Sequence, residues 1–268
     1  MEFNKLYNED CLNTKARMED KSIDLVITSP PYNMRTRIRN GKYTKREKAE
    51  HFSKKYGHFP DDLPIEEFYK LHSGIMSELL RVSKTVCYNF QIVTGSKEAF
   101  FKIIGDNAQY IKDIIIWDKG HGQPAMHAKV MNSCYEMIAI LQKEDKGAAG
   151  RAITGSNFER GKMDNVIRVT RGTRLSARLN KEFFEPKLYK ELKATADSHG
   201  AVFPEELVAK LLKAFSKEGD LIYDPFTGTG TVPVVAGKLG RNWVGSELMA
   251  PYYRLAYYRY KMEMGIFA

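Results

Sequence analysis

The chain has 268 residues, with 42 Lys+Arg against 33 Asp+Glu and a formal net charge of +9. Its length suits one large domain or two small ones, and its 43% hydrophobic and 28% charged residues are typical of a globular protein and exclude a membrane-embedded one. The first residues do not resemble an export signal, so we expect a cytoplasmic protein. Cys11, Cys87 and Cys134 are far apart in the sequence, which favours reduced thiols over disulfides or a zinc site.

The positive charge is concentrated in two segments. Residues 35–55 hold nine Lys/Arg against two Glu, and residues 160–181 hold seven Lys/Arg against one Asp. The two segments have net charges of +7 and +6. Their sum exceeds the total of +9, so the rest of the chain is mildly acidic, with a net charge of −4. Basic segments on an acidic body are typical of a polyanion binder, whereas the alternative is a pair of solvated loops.

The first half of the chain alternates between predicted strands and helices. An apolar run at residues 23–27 predicts a buried strand that ends at the turn Ser29-Pro30-Pro31-Tyr32. Pro64 opens a helix with Phe68, Leu71, Ile75 and Leu79 on one face. Further predicted elements are a strand at 85–93, a helix at 100–104, and strands at 113–117 and 135–141 on either side of a loop at 121–124.

The second half begins with an irregular region. Residues 142–193 are rich in Gly, Arg, Lys, Ser and Asn, which indicates an inserted subdomain. Regular elements then return: a helix opened by Pro204, a strand at 221–224, a helix at about 232–240, a strand at 242–245 and a final aromatic helix. This alternation predicts an α/β fold.

A glycine-containing turn follows the strand at 221–224. A tight strand–turn–helix connection directs backbone N–H groups at a ligand, and an acid at the end of the next strand is suited to a ribose diol. Gly228, Gly230 and Glu247 fit this layout, but Pro233 replaces the third glycine of a dinucleotide fingerprint. The pattern favours a nucleoside-like ligand, and the alternative is a purely structural turn.

The Ser29-Pro30-Pro31-Tyr32 turn suits a planar heterocycle with an exocyclic amine. Two prolines remove two backbone donors and stiffen the turn, so the carbonyls near Ser29 and Pro30 are available as acceptors. We expect the amine to donate to Ser29 Oγ and the Pro30 carbonyl while the ring stacks on Tyr32. The alternative is a stiff strand exit with a packed tyrosine. For Asn33, we favour a role in capping the turn over one in binding the ring edge.

These segments together resemble the β-class amino DNA methyltransferases. Residues 29–32 resemble the catalytic motif, and residues 224–231 resemble the S-adenosylmethionine loop. Residues 8–11 are similar to the segment that contacts the adenine side of the cofactor, and residues 199–204 to the one that holds its methionine moiety. A catalytic motif that precedes the cofactor loop, with a variable region between, is similar to the β arrangement.

The resemblance implies a fold and a division of the chain. The fold is α/β, Rossmann-like, with a seven-stranded, mostly parallel sheet that contains one antiparallel strand. Residues 1–141 and 194–268 are the catalytic domain, 142–193 the target-recognition region, and 35–63 a basic, mobile loop that contacts DNA. The implied partner is double-stranded DNA, with a homodimer possible and with no metal or membrane involved; nucleoid association follows from DNA binding.

The resemblance also assigns roles to residues. Ser29, Pro30, Pro31 and Tyr32 form the catalytic set. Glu247 takes the cofactor ribose, Gly228 and Gly230 approach its methionine portion, and Asp224 orients the loop or the cofactor ammonium. The residues implied to bind S-adenosylmethionine are Asp10, Cys11, Ala201, Phe203, Asp224, Phe226, Gly228, Gly230, Thr231 and Glu247. The residues expected to contact DNA are Arg35, Arg37, Arg39, Arg168, Arg171, Arg174 and Arg178.

The expected reaction is direct methyl transfer to the amine of a base flipped out of the duplex. Ser29 and Pro30, as proton acceptors, orient the amine lone pair at the methyl group. In the family, Ser at the first motif position is more often associated with cytosine N4 and Asp with adenine N6, so we favour cytosine N4 and keep adenine N6 as the alternative. An RNA or small-molecule methyltransferase and a catalytically dead DNA-binding protein are further alternatives.

Overall fold

The structure is a computed structural model. It describes residues 2–34, 36–39, 42–45, 61–123, 129–143, 150–170, 172, 174–198, 200 and 202–266. The strands are β1 (Lys5–Tyr7), β2 (Ile23–Thr28), β3 (Thr36–Arg39), β4 (Lys42–Lys45), β5 (Ser83–Phe90), β6 (Ile111–Gln123), β7 (Ser133–Leu141), β8 (Val166–Arg168), β9 (Leu221–Asp224) and β10 (Asn242–Ser246). The helices are α1 (Cys11–Ala16), α2 (Ile65–Val82), α3 (Lys97–Asp106), α4 (Pro186–Ser198), α5 (Glu205–Phe215), α6 (Thr231–Lys238) and α7 (Ala250–Met264).

Eight of the strands form one sheet in the order β1-β10-β9-β2-β5-β7-β6-β8. All neighbouring pairs are parallel except those of β7, which runs antiparallel to both β5 and β6. The predicted α/β fold with one antiparallel strand is therefore confirmed. The sheet gains an eighth strand, because β8 pairs with β6 at the edge.

Helices cover both faces of the sheet, as expected where parallel strands are joined by crossovers. One face carries α2 and α3, which pack side chains such as Phe68, Ile75 and Phe100 onto β2 and β5. The other face carries α5 and α6, with Leu207 and Val235 in the core. The strands between these layers are buried on both sides, which explains their continuous apolar runs.

The structure departs from the predicted elements at three places. Strand β6 continues to Gln123. The prediction of a loop at 121–124 is therefore wrong for residues 121–123. Strand β8 and the first part of helix α4 lie inside residues 142–193, the region predicted to be partly irregular. Leu71 is 36% exposed on α2, where we expected it on the buried face, and His72 takes its place in the core.

The described residues that flank the first basic segment lie close together. Strands β3 and β4 form an antiparallel hairpin. The backbone N–H groups of Asn33 and Met34 donate to the Asp61 carboxylate at 2.6 and 2.8 Å. Asp61, which follows the segment in the sequence, is thus hydrogen-bonded to the two residues that come directly after the Ser29–Tyr32 turn. The mobility predicted for residues 35–63 stays a prediction, because residues 46–60 lie outside the described part of the chain.

No helix among the described residues is long and apolar enough to cross a membrane. In the same part of the chain, no group of three or more His, Cys, Asp or Glu side chains is placed to hold a metal ion. Cys11 and Cys87 are buried free thiols, and Cys134 is an exposed one.

Candidate active site

The two motifs meet because their strands are parallel neighbours. Strand β2 ends at Thr28, β9 at Asp224 and β10 at Ser246, and the carboxyl ends of parallel strands share one edge of the sheet. Thr28 Oγ1 donates to Asp224 Oδ1 at 2.9 Å. This buried hydrogen bond joins two turns that lie 196 residues apart in the sequence. We call residues 29–32 the catalytic turn, after the motif that they resemble, and residues 225–231 the glycine turn.

Two buried carboxylates stand on the glycine-turn side. Glu247 accepts hydrogen bonds from the backbone N–H groups of Gly228 and Met249, both at 2.8 Å. Asp224 accepts from the Phe226 N–H at 3.1 Å and from Thr28. Burial raises the pKa of each carboxyl to about 7, since desolvation disfavours the charged form. No cation among the described residues offsets this cost.

Backbone conformation shapes the glycine turn. Gly228 has φ +52° and Gly230 has φ +82°, in the left-handed region that favours glycine. A Cβ on Gly230 would lie 3.0 Å from Cα and Cβ of Ala256 on α7. Only glycine therefore allows the turn to approach α7 this closely.

A buried arginine on α7 is hydrogen-bonded to the glycine turn. Arg259 on α7 is fully buried and donates to the Thr229 carbonyl at 2.9 Å and to Thr231 Oγ1 at 3.2 Å. It forms ion pairs with Glu205 and Glu263. Since three elements share this guanidinium, α5 and α7 fix the position of the turn.

A cavity of about 150 Å³ opens between the two turns. Its wall brings together residues from both motifs and from the segment at 8–11. The sequence-predicted residues in the wall are Asp10, Cys11, Ser29, Pro31, Phe203, Asp224, Phe226, Gly228, Thr231 and Glu247. Pro30, Tyr32 and Gly230 lie next to it without lining it, and Ala201 lies outside the described residues.

Aromatic side chains complete the cavity wall. Phe226 stacks on the His72 ring with centroids 5.9 Å apart and an interplanar angle of 26°. His72 Nδ1 lies 3.0 Å from the Tyr88 hydroxyl, and burial lowers the pKa of His72 to about 3, so its ring is neutral. Asp10, in the cavity wall, caps α1 through a 2.8 Å bond from the Leu12 N–H, which holds its carboxylate in place.

The catalytic turn is tied to a buried polar cluster. Ser29 Oγ lies 3.0 Å from the Tyr32 hydroxyl, which donates to Glu136 Oε2 at 3.0 Å. Asn89 Nδ2 donates to the Tyr32 oxygen at 2.6 Å and to Glu136 at 2.7 Å. Lys119 pairs with Glu136 at 3.4 Å, and both side chains are buried. We call Tyr32, Asn89, Lys119 and Glu136 the buried polar cluster.

The Tyr32 ring is less accessible than the sequence suggested. Only 4% of the residue is exposed, and its ring packs in a T-shaped arrangement with that of Phe100, with the ring centroids 5.8 Å apart. Stacking of a base on Tyr32 stays a prediction, and it requires the ring face to be uncovered. The Asn33 amide donates to the carbonyls of Leu63 and Gly95 at 2.8 and 3.0 Å, which joins the residue after the turn to two other segments. Its role in capping the turn stays a prediction.

The arginines predicted to contact DNA have different surroundings. Arg168 is an exposed residue on β8 that donates to Asp118 at 2.7 Å. Arg174 is exposed. Arg178 forms ion pairs with Glu205 and Glu263, the same carboxylates that hold Arg259. For Arg37 and Arg39 the structure gives only the backbone of β3, and Arg35 and Arg171 lie outside the described residues, so the DNA contacts stay predictions.

Five residues that support the two turns were not predicted from the sequence. They are His72, Asn89, Lys119, Glu136 and Arg259. A usable signal existed for Glu136, which is a charged residue within an apolar strand, and such residues are rarely buried without a partner. No comparable signal marked Arg259, which lies in a helix with many charged residues.

The chain matches the N6/N4 DNA methylase family over residues 23–258. It is 25% identical over 267 residues to the type II methyltransferase M2.DpnII of Streptococcus pneumoniae, covering 96% of this chain and 90% of that protein. The fold is similar to that of the PvuII DNA methyltransferase, described as cytosine-N4-specific, with a TM-score of 0.66, 15% identity, and coverage of 98% and 90% of the two chains.

A second structure with a similar fold contains a cofactor. It is a protein from Thermus thermophilus in complex with S-adenosyl-L-methionine, with a TM-score of 0.56, 22% identity, and coverage of 98% of this chain and 96% of that one. The family match runs from β2 to α7 and includes both turns of the site. The chain therefore belongs to the N6/N4 family of DNA methylases, amino methyltransferases whose methyl donor is S-adenosylmethionine.

Proposed function

We propose that this enzyme transfers the methyl group of S-adenosylmethionine to N4 of a cytosine flipped out of duplex DNA. The proposal rests on one observation above all. The cavity that holds the cofactor-binding carboxylates Asp224 and Glu247 also has Ser29 in its wall. A hydrogen-bond acceptor for the target amine and a binding site for the methyl donor thus share one space.

The carboxylates fit a cationic cofactor. Asp224 and Glu247 are buried, face the cavity and have no cationic partner among the described residues. A buried carboxylate without a partner is costly, and a cation nearby recovers part of that cost. S-adenosylmethionine supplies a methyl group on a positively charged sulfur and also carries an ammonium group. We assign Glu247 to its ribose hydroxyls, Asp224 to its ammonium or to the loop, and Asp10 to its adenine.

The catalytic turn provides the acceptors that the amine needs. An exocyclic amine is a weak nucleophile because its lone pair is delocalised into the ring. Ser29 Oγ and the Pro30 carbonyl accept hydrogen bonds from its two N–H groups and direct the lone pair at the methyl group, and the amine loses one proton during or after the attack. Within the described residues, no backbone N–H donates to the Pro30 carbonyl, so that acceptor remains available.

The choice of cytosine rests on the family's association between the first motif residue and the target base. Ser29 contributes a neutral hydroxyl, the residue type that the family associates more often with N4 of cytosine. Base flipping costs a few kcal/mol in unstacking. Contacts of the basic segments with phosphates contribute binding free energy that offsets this cost.

Methylation of duplex DNA, followed by digestion to nucleosides and mass spectrometry, tests the proposal. We expect N4-methylcytosine with the wild type and a loss of product of at least about 100-fold with Ser29→Ala, since an oriented acceptor is removed. The matched control is Ser22→Ala, at an exposed serine whose hydroxyl donates to the Glu19 carbonyl in its own turn. It should leave the rate unchanged.

Three outcomes would contradict parts of the proposal. N6-methyladenine as the product would overturn the choice of base and leave the amine acceptor in place. Methylation of RNA in preference to duplex DNA would overturn the substrate. Full activity of Ser29→Ala would overturn the role of the catalytic turn.

A further inference from the structure

Glu136 has a contact with the catalytic turn that the cofactor and DNA contacts do not explain. It lies on β7, is buried, and does not line the cavity. Its carboxylate accepts from three donors: Lys119 Nζ at 3.4 Å, Asn89 Nδ2 at 2.7 Å and the Tyr32 hydroxyl at 3.0 Å. A buried carboxylate with this many donors is held in one orientation.

Counting protons along this cluster fixes the direction of each hydrogen bond. A carboxylate only accepts, so the single phenolic proton of Tyr32 points to Glu136. The Tyr32 oxygen then acts as acceptor in its 3.0 Å contact with Ser29 Oγ, which must use its own proton as donor. Asn89 Nδ2 has two hydrogens, which its shorter contacts with the Tyr32 oxygen and with Glu136 take up, so its 3.3 Å contact with Ser29 Oγ does not change this order.

The direction of the Ser29 proton decides what the hydroxyl offers to the cavity. With its proton directed at Tyr32, Ser29 Oγ presents lone pairs to a ligand. If the proton pointed into the cavity, Ser29 would meet the amine as a second donor and repel it. Orientation of a hydroxyl before the substrate binds avoids a reorganisation cost during the reaction.

We propose that Glu136 is a positioning residue that acts through Tyr32 to fix Ser29 as a hydrogen-bond acceptor for the target amine. The inference rests on the proposed function of Ser29 and adds a cause for it. Lys119 and Asn89 stabilise the Glu136 carboxylate in the buried polar cluster, away from the reacting atoms.

The test removes the acceptor of the Tyr32 proton. Glu136→Leu alone would leave Lys119 buried without a charge partner, so it is combined with Lys119→Met to keep the cluster neutral. In the double variant no carboxylate accepts from Tyr32, whose proton then turns to Ser29. We expect single-turnover methyl transfer to fall about 100-fold, with unchanged dissociation constants for S-adenosylmethionine and DNA.

A double-mutant cycle separates positioning from general support of the fold. Once Tyr32→Phe has removed the hydroxyl, changing Glu136 and Lys119 should alter the transfer rate by less than about threefold, because the effect runs through that hydroxyl. Asp113→Asn with Arg151→Met, which removes a partly exposed ion pair attached to β6, is the matched control and should leave the rate unchanged.

Two results would overturn the inference. One is a double variant that transfers methyl within about threefold of the wild-type rate. The other is an equal loss of rate with and without the Tyr32 hydroxyl, which would indicate a general effect on the fold. Transfer by the wild type to adenine N6 would overturn only the choice of base, because Ser29 is the acceptor for either amine.

Discussion

Replacing Gly230 with alanine tests how the glycine turn is held against the final helix. Gly230 has φ +82°, where a residue with a Cβ pays about 1–2 kcal/mol. The new Cβ would also lie 3.0 Å from Cα and Cβ of Ala256 and 3.3 Å from its carbonyl oxygen. Since these are mostly backbone atoms of α7, overpacking adds about 1–3 kcal/mol.

Gly219 provides a matched control. Its φ is +83°, nearly that of Gly230, and a Cβ there meets no atom within 4 Å. Gly219→Ala carries the conformational cost alone, and the change in unfolded-chain entropy is common to both variants. The difference between the two variants therefore isolates the packing against Ala256, which we expect to be about 1–3 kcal/mol.

Urea unfolding followed by tryptophan fluorescence measures this difference, because Trp117 and Trp243 are both buried. In a domain of this size, each kcal/mol corresponds to about 2–4 °C in Tm. We also expect Gly230→Ala, and not Gly219→Ala, to weaken binding of S-adenosylmethionine, since only the former displaces the turn. Equal free energies of unfolding for the two variants would refute the packing argument.

Three further predictions concern charge. The free energy of unfolding of Asp224→Asn should rise relative to that of the unliganded wild type by about 2–3 kcal/mol between pH 5 and 7. The reason is the raised pKa of about 7 for Asp224, which makes the wild type lose stability as pH rises through that range. A difference in urea unfolding that does not change with pH would contradict this. The affinity of the wild type for S-adenosylmethionine should rise from pH 6 to 8 as Asp224 and Glu247 ionise, and calorimetry with Asp224→Asn should show a smaller rise. Arg174→Ala should reduce the slope of log K for DNA against log salt by about 1. Arg178 forms ion pairs with Glu205 and Glu263, so, contrary to the contact expected from the sequence, we expect Arg178→Ala to lower the free energy of unfolding and to leave the slope unchanged. An equal effect of both variants on the slope would assign Arg178 to the DNA surface.

Sequence patterns predicted the elements that bear the site. The apolar run before Ser29 and the strand–turn–helix around Gly228 each depend on neighbours in the sequence, and both were found as expected. Local patterns were less successful where tertiary contacts decide whether a strand forms or a side chain is buried. Strand β8 has only three residues and exists because it pairs with β6, and Leu71 is exposed although its spacing suits the core face.

The sequence by itself determined the order of the motifs, the residue types at each turn and, through the resemblance, the fold and the cofactor. Only the tertiary structure decided which distant groups meet. It joins Thr28 to Asp224, places Arg259 under the glycine turn, and links Glu136 to Ser29 through Tyr32. Such contacts depend on strand order and on the direction of single protons, and neither leaves a periodic signal in the chain.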